Sequence, residues 1–254
     1  MVNIPVKAKE RLTAGLKRFQ PILQNAKDRD INESDTVTII TDLLSDIFGY
    51  DKFNEVTSEF AIKKTFCDLA IKIDDKISLL IEIKAAGLAL KDDYVRQAVD
   101  CGANVGVDFV ALTNSIEWKV YQIVFAKPVE KNLLYEFNML ELNPKKQEDF
   151  RGSFLHSKVA IAKSSGSLLG ELAAQKEIIN HFFIGQLLVT DSIVDALRRH
   201  IRRISPDIKV TNDEIKTLLV TNVIKRDVFE GDRSEDAKKR IIDFEKSQAK
   251  NEWG

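Results

Sequence analysis

Two apolar segments, residues 65–73 and 77–85, follow each other with only Asp-Asp-Lys at residues 74–76 between them. Both segments are rich in β-branched and other apolar residues, and the residues between them are typical of a turn. The sequence therefore predicts a β-hairpin. Its second strand is so continuously apolar that we expect it in the middle of a sheet, although it contains Glu82 and Lys84.

The register of this hairpin brings charged side chains together. If residues 74–76 form a three-residue turn, Asp68 lies directly opposite Glu82, and the Cβ atoms of such a pair are about 4.5–5.5 Å apart. Glu82 and Lys84 are two residues apart, so their side chains share one face of the strand. We therefore expect Asp68, Glu82 and Lys84 to form one cluster.

A Glu-x-Lys pattern alone carries little information, since it occurs at residues 82–84, 117–119 and 214–216. The third copy lies just after Thr211, which begins a capping box and therefore predicts a helix. On a helix the side chains of residues i and i+2 point to different sides. The third copy is thus expected to be a solvated helix start.

The second copy lies in another predicted hairpin. A turn at residues 114–115 would pair Glu117 with Leu112. The nearest upstream acid, Asp108, would then lie opposite Tyr121, about 13 Å along the strand. Only the first hairpin is expected to set an acid opposite its glutamate.

The first cluster has the donor atoms of a metal site. Two carboxylates that face each other on neighbouring strands repel unless a cation lies between them. Mg²⁺ or Mn²⁺ fits, because a hard ion that retains water ligands needs few protein carboxylates. The main-chain carbonyl of Ile83 is a further candidate ligand, and Lys84 is placed to act on a water or on a phosphate.

The alternative is a buried ion cluster in which Lys84 simply pairs with Asp68 and Glu82. Such clusters stabilise a fold less than apolar packing does, so they require another explanation.

The secondary-structure signals divide the chain into an α/β domain, residues 1–145, and an α-helical domain, residues 146–254. Strands are expected over 53–60, 65–73, 77–85, 107–112, 118–125 and, at a sheet edge, 133–140, with a helix over 91–104.

The first domain begins with a helical segment over residues 1–30, which Pro21 is expected to kink or divide. A second helix follows, capped at its N-terminus by Asn32 or Ser34. Gly49 fits the C-terminal cap of this helix.

Composition argues against several classes of protein. A net charge of −1 is unlike a protein that coats nucleic acid through phosphate contacts. No apolar run is long enough for a membrane helix, and the N-terminus lacks the apolar core of a signal peptide, so we expect a cytoplasmic protein. The two cysteines are too few for a disulfide framework, and the three histidines lack the spacing of a zinc site.

Residues 66–70 and 80–85, Phe-Cys-Asp-Leu-Ala and Leu-Ile-Glu-Ile-Lys-Ala, resemble the PD-(D/E)xK nuclease motif. Over about residues 30–130 the chain is similar to the N-terminal nuclease domain of type I restriction enzyme R subunits. The likeness includes Asn-Glu-Ser-Asp-Thr at 32–36, which opens a helix, and the strands over 109–121.

This resemblance implies a restriction-endonuclease-like fold, in which helices flank a mixed central sheet. It also implies that Asp68 and Glu82 bind metal and that Lys84 is the catalytic lysine. Glu33 would be an upstream helical acid, and Gln97 the glutamine of a QxxxY motif.

The chain departs from the family pattern in places. Cys67 stands where the motif's name has proline, and Cys101 stands where the QxxxY motif has tyrosine. Glu33 has the alternative role of an acid that complements a helix dipole, and Gln97 that of an ordinary exposed helix residue. The 254 residues contain no P-loop, so the resemblance does not imply a complete, translocating R subunit with its ATP-driven motor.

The helical domain contains one dense basic cluster and one apolar stripe. Two i,i+4 arginine pairs would present a patch suited to DNA phosphates, unless they form a solvated face paired with Asp191, Asp195 or Asp207. The stripe is expected to be core or the seam of a homodimer. The basic cluster is Arg198, Arg199, Arg202 and Arg203, and the stripe is Ile178, Ile179, Phe182, Phe183, Leu187 and Leu188.

Two functions remain open from the sequence. The first is a Mg²⁺- or Mn²⁺-dependent DNA endonuclease with a restriction or defence role, working with restriction-system subunits. The second is a nuclease-fold DNA-binding or regulatory module with little or no catalysis.

Overall fold

A computed structural model describes residues 4–62, 65–125, 128–143, 145–146, 150–161 and 168–251. The strands are β1 (Val56–Ile62), β2 (Thr65–Ile73), β3 (Lys76–Ile83), β4 (Phe109–Thr113), β5 (Glu117–Val124) and β6 (Glu130–Asn138). The helices are α1 (Val6–Asp28), α2 (Glu33–Leu43), α3 (Arg96–Val105), α4 (Phe150–Leu155), α5 (Lys158–Ile161), α6 (Leu168–Ile178), α7 (His181–Leu188), α8 (Asp191–Ile204), α9 (Asn212–Leu218) and α10 (Asp232–Asn251).

The six strands form one sheet in the order β1-β2-β3-β4-β5-β6. β3 and β4 are parallel, and every other neighbouring pair is antiparallel. Leu12 of α1 and Ile40 of α2 belong to the apolar core on one face of the sheet, and Ala98 of α3 belongs to the core on the other. These observations confirm the predicted α/β fold with a mixed central sheet and flanking helices.

Pro21 does not divide the first helix. α1 runs from Val6 to Asp28 as one helix with Pro21 inside it. Its apolar side is fully buried, and the Gln20 amide donates hydrogen bonds to the carbonyls of Met139 and Leu142 at 2.9 and 2.8 Å. Packing along the whole length outweighs the hydrogen bond that proline removes.

The second helix has the predicted caps. The Asn32 side chain accepts a hydrogen bond from the Asp35 main-chain N–H at 2.9 Å, so Asn32 rather than Ser34 is the N-cap. A π-helical turn, Leu44–Phe48, extends α2 to Gly49, whose φ of 83° is the left-handed conformation that glycine adopts at helix ends.

The edge strands are shifted from the predicted positions. β1 begins at Val56 rather than at residue 53, because the Asp51 carboxylate accepts hydrogen bonds from the N–H groups of Phe53 and Asn54 and holds them in a turn. The expected edge strand is present as β6, which begins at Glu130.

The chain forms two compact units, residues 1–173 and 174–254. The predicted boundary at 145/146 differs from this division, because α4 and α5 pack into the core of the first unit. His156, between these helices, is fully buried and its Nδ1 lies 2.8 Å from the Tyr135 hydroxyl. The Tyr50 hydroxyl donates to the His156 carbonyl at 2.7 Å.

The second unit is helical in its described part, as predicted for this region. Gln186 of α7 donates to the Ser234 hydroxyl at 2.8 Å and ties α7 to α10. The apolar stripe is not simply core, since Ile179 is 72% exposed and Ile178 is 44% exposed. Among the described residues, no helix is long and apolar enough to cross a membrane.

Candidate active site

The β2–β3 hairpin has a different turn from the predicted one but the same register at the cluster. Asp74 and Asp75 have φ values of 50° and 60°, the positive values of a two-residue type I′ turn. Pairing then shifts by one residue between Ile71 and Lys72, where a β-bulge lies. The bulge compensates for the shorter turn, so Leu69 pairs with Ile81, as a three-residue turn would require.

Asp68 lies directly beyond this last pair of partners. Its Oδ2 accepts a hydrogen bond from the main-chain N–H of Ile83 at 2.6 Å. At the end of β3, the carboxylate therefore accepts a main-chain hydrogen bond of the kind that a neighbouring strand would accept. This bond fixes Asp68 beside Glu82.

Lys84 links the other acids of the cluster. Its Nζ donates to Glu82 Oε1 at 2.8 Å and lies 3.6 Å from Glu33 Oε2. The main-chain N–H of Lys84 donates to the Thr113 carbonyl at 2.9 Å, which holds this end of β3 against β4. The structure thus brings Glu33, Asp68, Glu82 and Lys84 together.

Burial controls the electrostatics of the two central acids. Burial raises the pKa of Glu82 to about 6; the Lys84 hydrogen bond opposes this effect and the Asp68 charge adds to it. Burial also raises the pKa of Asp68, against the opposing effects of the Ile83 N–H and of Lys84. For Lys84, the pKa is raised because its carboxylate neighbours outweigh the burial that lowers it. Lys84 is therefore a protonated ammonium at neutral pH.

One oxygen of Glu82 has no partner. Oε2 is buried and accepts no hydrogen bond from any described residue, and Glu82 as a whole is only 5% exposed. A buried carboxylate oxygen without a donor is costly, so this atom calls for a cation or an ordered water.

The donor set narrows the choice of cation. Within the described residues, no three or more His, Cys, Asp or Glu side chains are grouped as a metal site. Two carboxylates with a main-chain carbonyl suit a hard ion that keeps water ligands, such as Mg²⁺, and not zinc. The residues present therefore fit the predicted Mg²⁺ or Mn²⁺.

Gln97 lines a cleft together with Glu82 and Lys84, and its side chain makes a hydrogen bond within the protein. Its amide donates to the Phe66 carbonyl at 2.5 Å and connects α3 to β2 two residues before Asp68. Cys101 is fully buried in the core. The tyrosine position of a QxxxY motif is therefore occupied by a side chain that faces away from the cleft.

The cleft has a volume of about 460 Å³, and sequence reasoning missed part of its lining. The pattern that could have found these residues is the polar stripe that Asp93, Gln97 and Asp100 form at helical spacing. The lining residues are Glu82, Lys84, Asp93, Tyr94, Arg96, Gln97 and Asp100.

The second Glu-x-Lys hairpin has a longer turn than predicted. Asn114 Oδ1 accepts from the N–H groups of Ile116 and Glu117, so Leu112 pairs with Lys119 and not with Glu117. Glu117 pairs with Asn138 of β6 instead. The predicted register is wrong, but this hairpin sets no acid directly opposite Glu117.

The third copy is the predicted helix start. The Thr211 side chain accepts from the Glu214 N–H, and Glu214 Oε2 accepts from the Thr211 N–H at 2.8 Å. Lys216 pairs with Asp191 at 2.7 Å.

The four arginines of α8 have different environments. Arg198 pairs with Asp195 at 2.9 Å, and Arg202 donates to the Val210 carbonyl at 3.3 Å. Arg199 and Arg203 are exposed. The solvated face paired with Asp195 is therefore present for Arg198.

Comparison with known proteins bears on the first unit. Residues 39–135 match the family described as type I restriction enzyme R protein N terminus (HSDR_N). This match confirms the predicted resemblance and is consistent with a restriction-enzyme-like nuclease domain; it includes Asp68, Glu82, Lys84 and Gln97. No curated protein and no solved structure matches the chain.

Proposed function

We propose that this protein is a Mg²⁺- or Mn²⁺-dependent DNA endonuclease with a restriction or defence role. The observation that carries the proposal is the cluster in which Asp68, Glu82 and Lys84 meet, where the buried Glu82 Oε2 has no partner in the described part of the chain. The family match of residues 39–135 supports the same chemistry.

The side chains have distinct roles in this proposal. Asp68, Glu82 and the Ile83 carbonyl would hold the metal, which when bound polarises a phosphate oxygen and acidifies a water. Lys84 remains protonated and stabilises the negative charge that develops on the phosphate. Glu33 positions Lys84 through their 3.6 Å contact.

Gln97 is a positioning residue in this scheme. It holds the Phe66 carbonyl and so fixes the strand that carries Asp68. This indirect support matters because small displacements of reacting groups slow a reaction strongly.

The partners follow from the chemistry and from the family. DNA is the substrate, and the exposed Arg199 and Arg203 of the second unit, together with Arg198 and Arg202, are proposed to contact its phosphates. Restriction-system subunits are further proposed partners, as the family match suggests. A homodimer, with the exposed Ile178 and Ile179 in its seam, would allow both strands to be cut. We place this activity in the cytoplasm, in keeping with two buried cysteines that are not joined in a disulfide.

A nuclease-fold DNA-binding module without catalysis is the second candidate. The observation that favours it is the burial of Cys101, which leaves the glutamine motif incomplete.

Cleavage of plasmid and linear DNA with Mg²⁺ or Mn²⁺ separates the two candidates. We expect cleavage by the wild type and a loss of about 100-fold or more in Asp68→Ala and Lys84→Ala, because each removes a group that stabilises the transition state. Glu117→Ala, in the second Glu-x-Lys hairpin, is the matched control and should cleave normally. Full activity of Asp68→Ala and Lys84→Ala would overturn the site, whereas a folded but inert wild type would favour the binding module.

A further inference from the structure

Two donor side chains that line the cleft, Lys84 and Gln97, are already engaged by the protein. The Lys84 ammonium contacts Glu82 and Glu33, and the Gln97 amide donates to the Phe66 carbonyl. These groups keep little capacity to bind a second phosphate along a DNA strand.

Arg96 is the cation of the cleft lining that is not engaged in this way by the described residues. It is the first residue of α3, is exposed, and lines the same cleft as Glu82 and Lys84. Within the described part of the chain, its guanidinium makes no hydrogen bond and no ion pair, and it is close enough to another cation, Lys131, to repel it. All its donors are thus available to a ligand.

The acidic lining of the cleft makes the available Arg96 donors important for binding a polyanion such as DNA. Its lining includes the acids Glu82, Asp93 and Asp100, and Lys84 is neutralised by its carboxylate partners. A polyanion entering such a cleft meets repulsion unless a positive group compensates it. An arginine fork can bind two phosphate oxygens at once, which a lysine cannot.

We propose that Arg96 binds a DNA backbone phosphate adjacent to the one that is cut and so sets the position of the strand in the cleft. This inference rests on the proposed nuclease function, but it concerns binding rather than the chemical step.

The test is binding of a short fluorescein-labelled DNA duplex in EDTA, followed by fluorescence anisotropy over a range of salt concentrations. We expect Arg96→Ala to weaken binding about tenfold. The slope of the logarithm of the association constant against the logarithm of salt concentration should become less steep by about one, as loss of one phosphate contact does. Arg96→Lys should keep the slope but recover only part of the affinity.

Lys76→Ala is the matched control. It removes the same charge from the far end of β3, about 20 Å along the strand from Glu82. We expect its affinity and salt slope to equal those of the wild type. Circular dichroism verifies that each variant is folded.

Steady-state cleavage supplies a second readout. The loss in Arg96→Ala should appear in KM rather than in kcat, because a uniform binding contact is removed. Arg96→Ala behaving like Lys76→Ala in affinity, slope and KM would overturn the inference while leaving a cleaving wild type intact.

The experiments also distinguish the opposite case, in which Arg96 binds a phosphate but the protein is not a nuclease. If no metal supports cleavage but Arg96→Ala still loses affinity and salt slope, the phosphate contact stands and the nuclease function falls. If the wild type binds no DNA at all, the inference on Arg96 is wrong.

Discussion

Glu82 is the acid of the site whose charged form is clearly disfavoured by burial and by the neighbouring Asp68 charge. It is nearly inaccessible to solvent, it lies near Asp68, and only one of its two oxygens has a partner among the described residues. Retaining a charged acid here is unfavourable for folding, unlike filling the same space with an apolar side chain. The simplest physical reason to keep it is a ligand that binds the carboxylate.

The pH dependence of stability tests this description of Glu82. Its folded pKa of about 6 lies above the ordinary value of 4.5, so the unfolded chain loses this proton first as the pH rises. Ionisation therefore lowers the free energy of unfolding as the pH rises from about 4.5 past 6, by at most about 2 kcal/mol. Glu82→Gln removes this loss.

We expect Glu82→Gln to melt a few degrees above the wild type at pH 8 without metal, and at the same temperature near pH 4. Differential scanning calorimetry across this range measures the difference, with Glu117→Gln as the control. A variant less stable than the wild type at pH 8 would contradict the assignment of an unfavourable buried charge.

The sequence allowed the hairpin of β2 and β3 to be predicted, together with the meeting of Asp68 and Glu82. It did not reveal that a two-residue turn and a β-bulge would combine to give that register, because bulges depend on how the whole sheet twists. In the second hairpin, the side chain of Asn114 holds the turn open at Ile116 and Glu117. That capping role could have been inferred from local turn chemistry.

The conformation of the first turn leads to a prediction for Asp75. Its φ of 60° is a position that glycine occupies without strain and that a β-branched residue resists. We expect Asp75→Gly to raise Tm by a few degrees and Asp75→Val to lower it, with folding retained in both. Thermal unfolding followed by circular dichroism measures this, and the reverse order of the two variants would show that the turn is not type I′.

The boundary between the two compact units could not be read from the secondary-structure signals of the sequence. Loss of β-strand signals after β6 marks a change of secondary structure, but the core of the first unit continues through Phe150, Phe154 and His156. Burial of these residues depends on tertiary contacts that no local pattern contains. The near-neutral net charge is compatible with the proposal that DNA is contacted locally, rather than over the whole surface.

The proposed nuclease site requires that Asp68 and Glu82 together hold a divalent metal ion. Isothermal titration calorimetry of the whole chain with Mn²⁺ measures this directly, and Glu117→Gln serves as the control for loss of an acidic residue. We expect one Mn²⁺ site in the wild type and in Glu117→Gln. Binding should be weakened at least tenfold in both Asp68→Asn and Glu82→Gln, because each of these variants removes one carboxylate ligand. Equal Mn²⁺ binding by all four proteins, or none by the wild type, would contradict it.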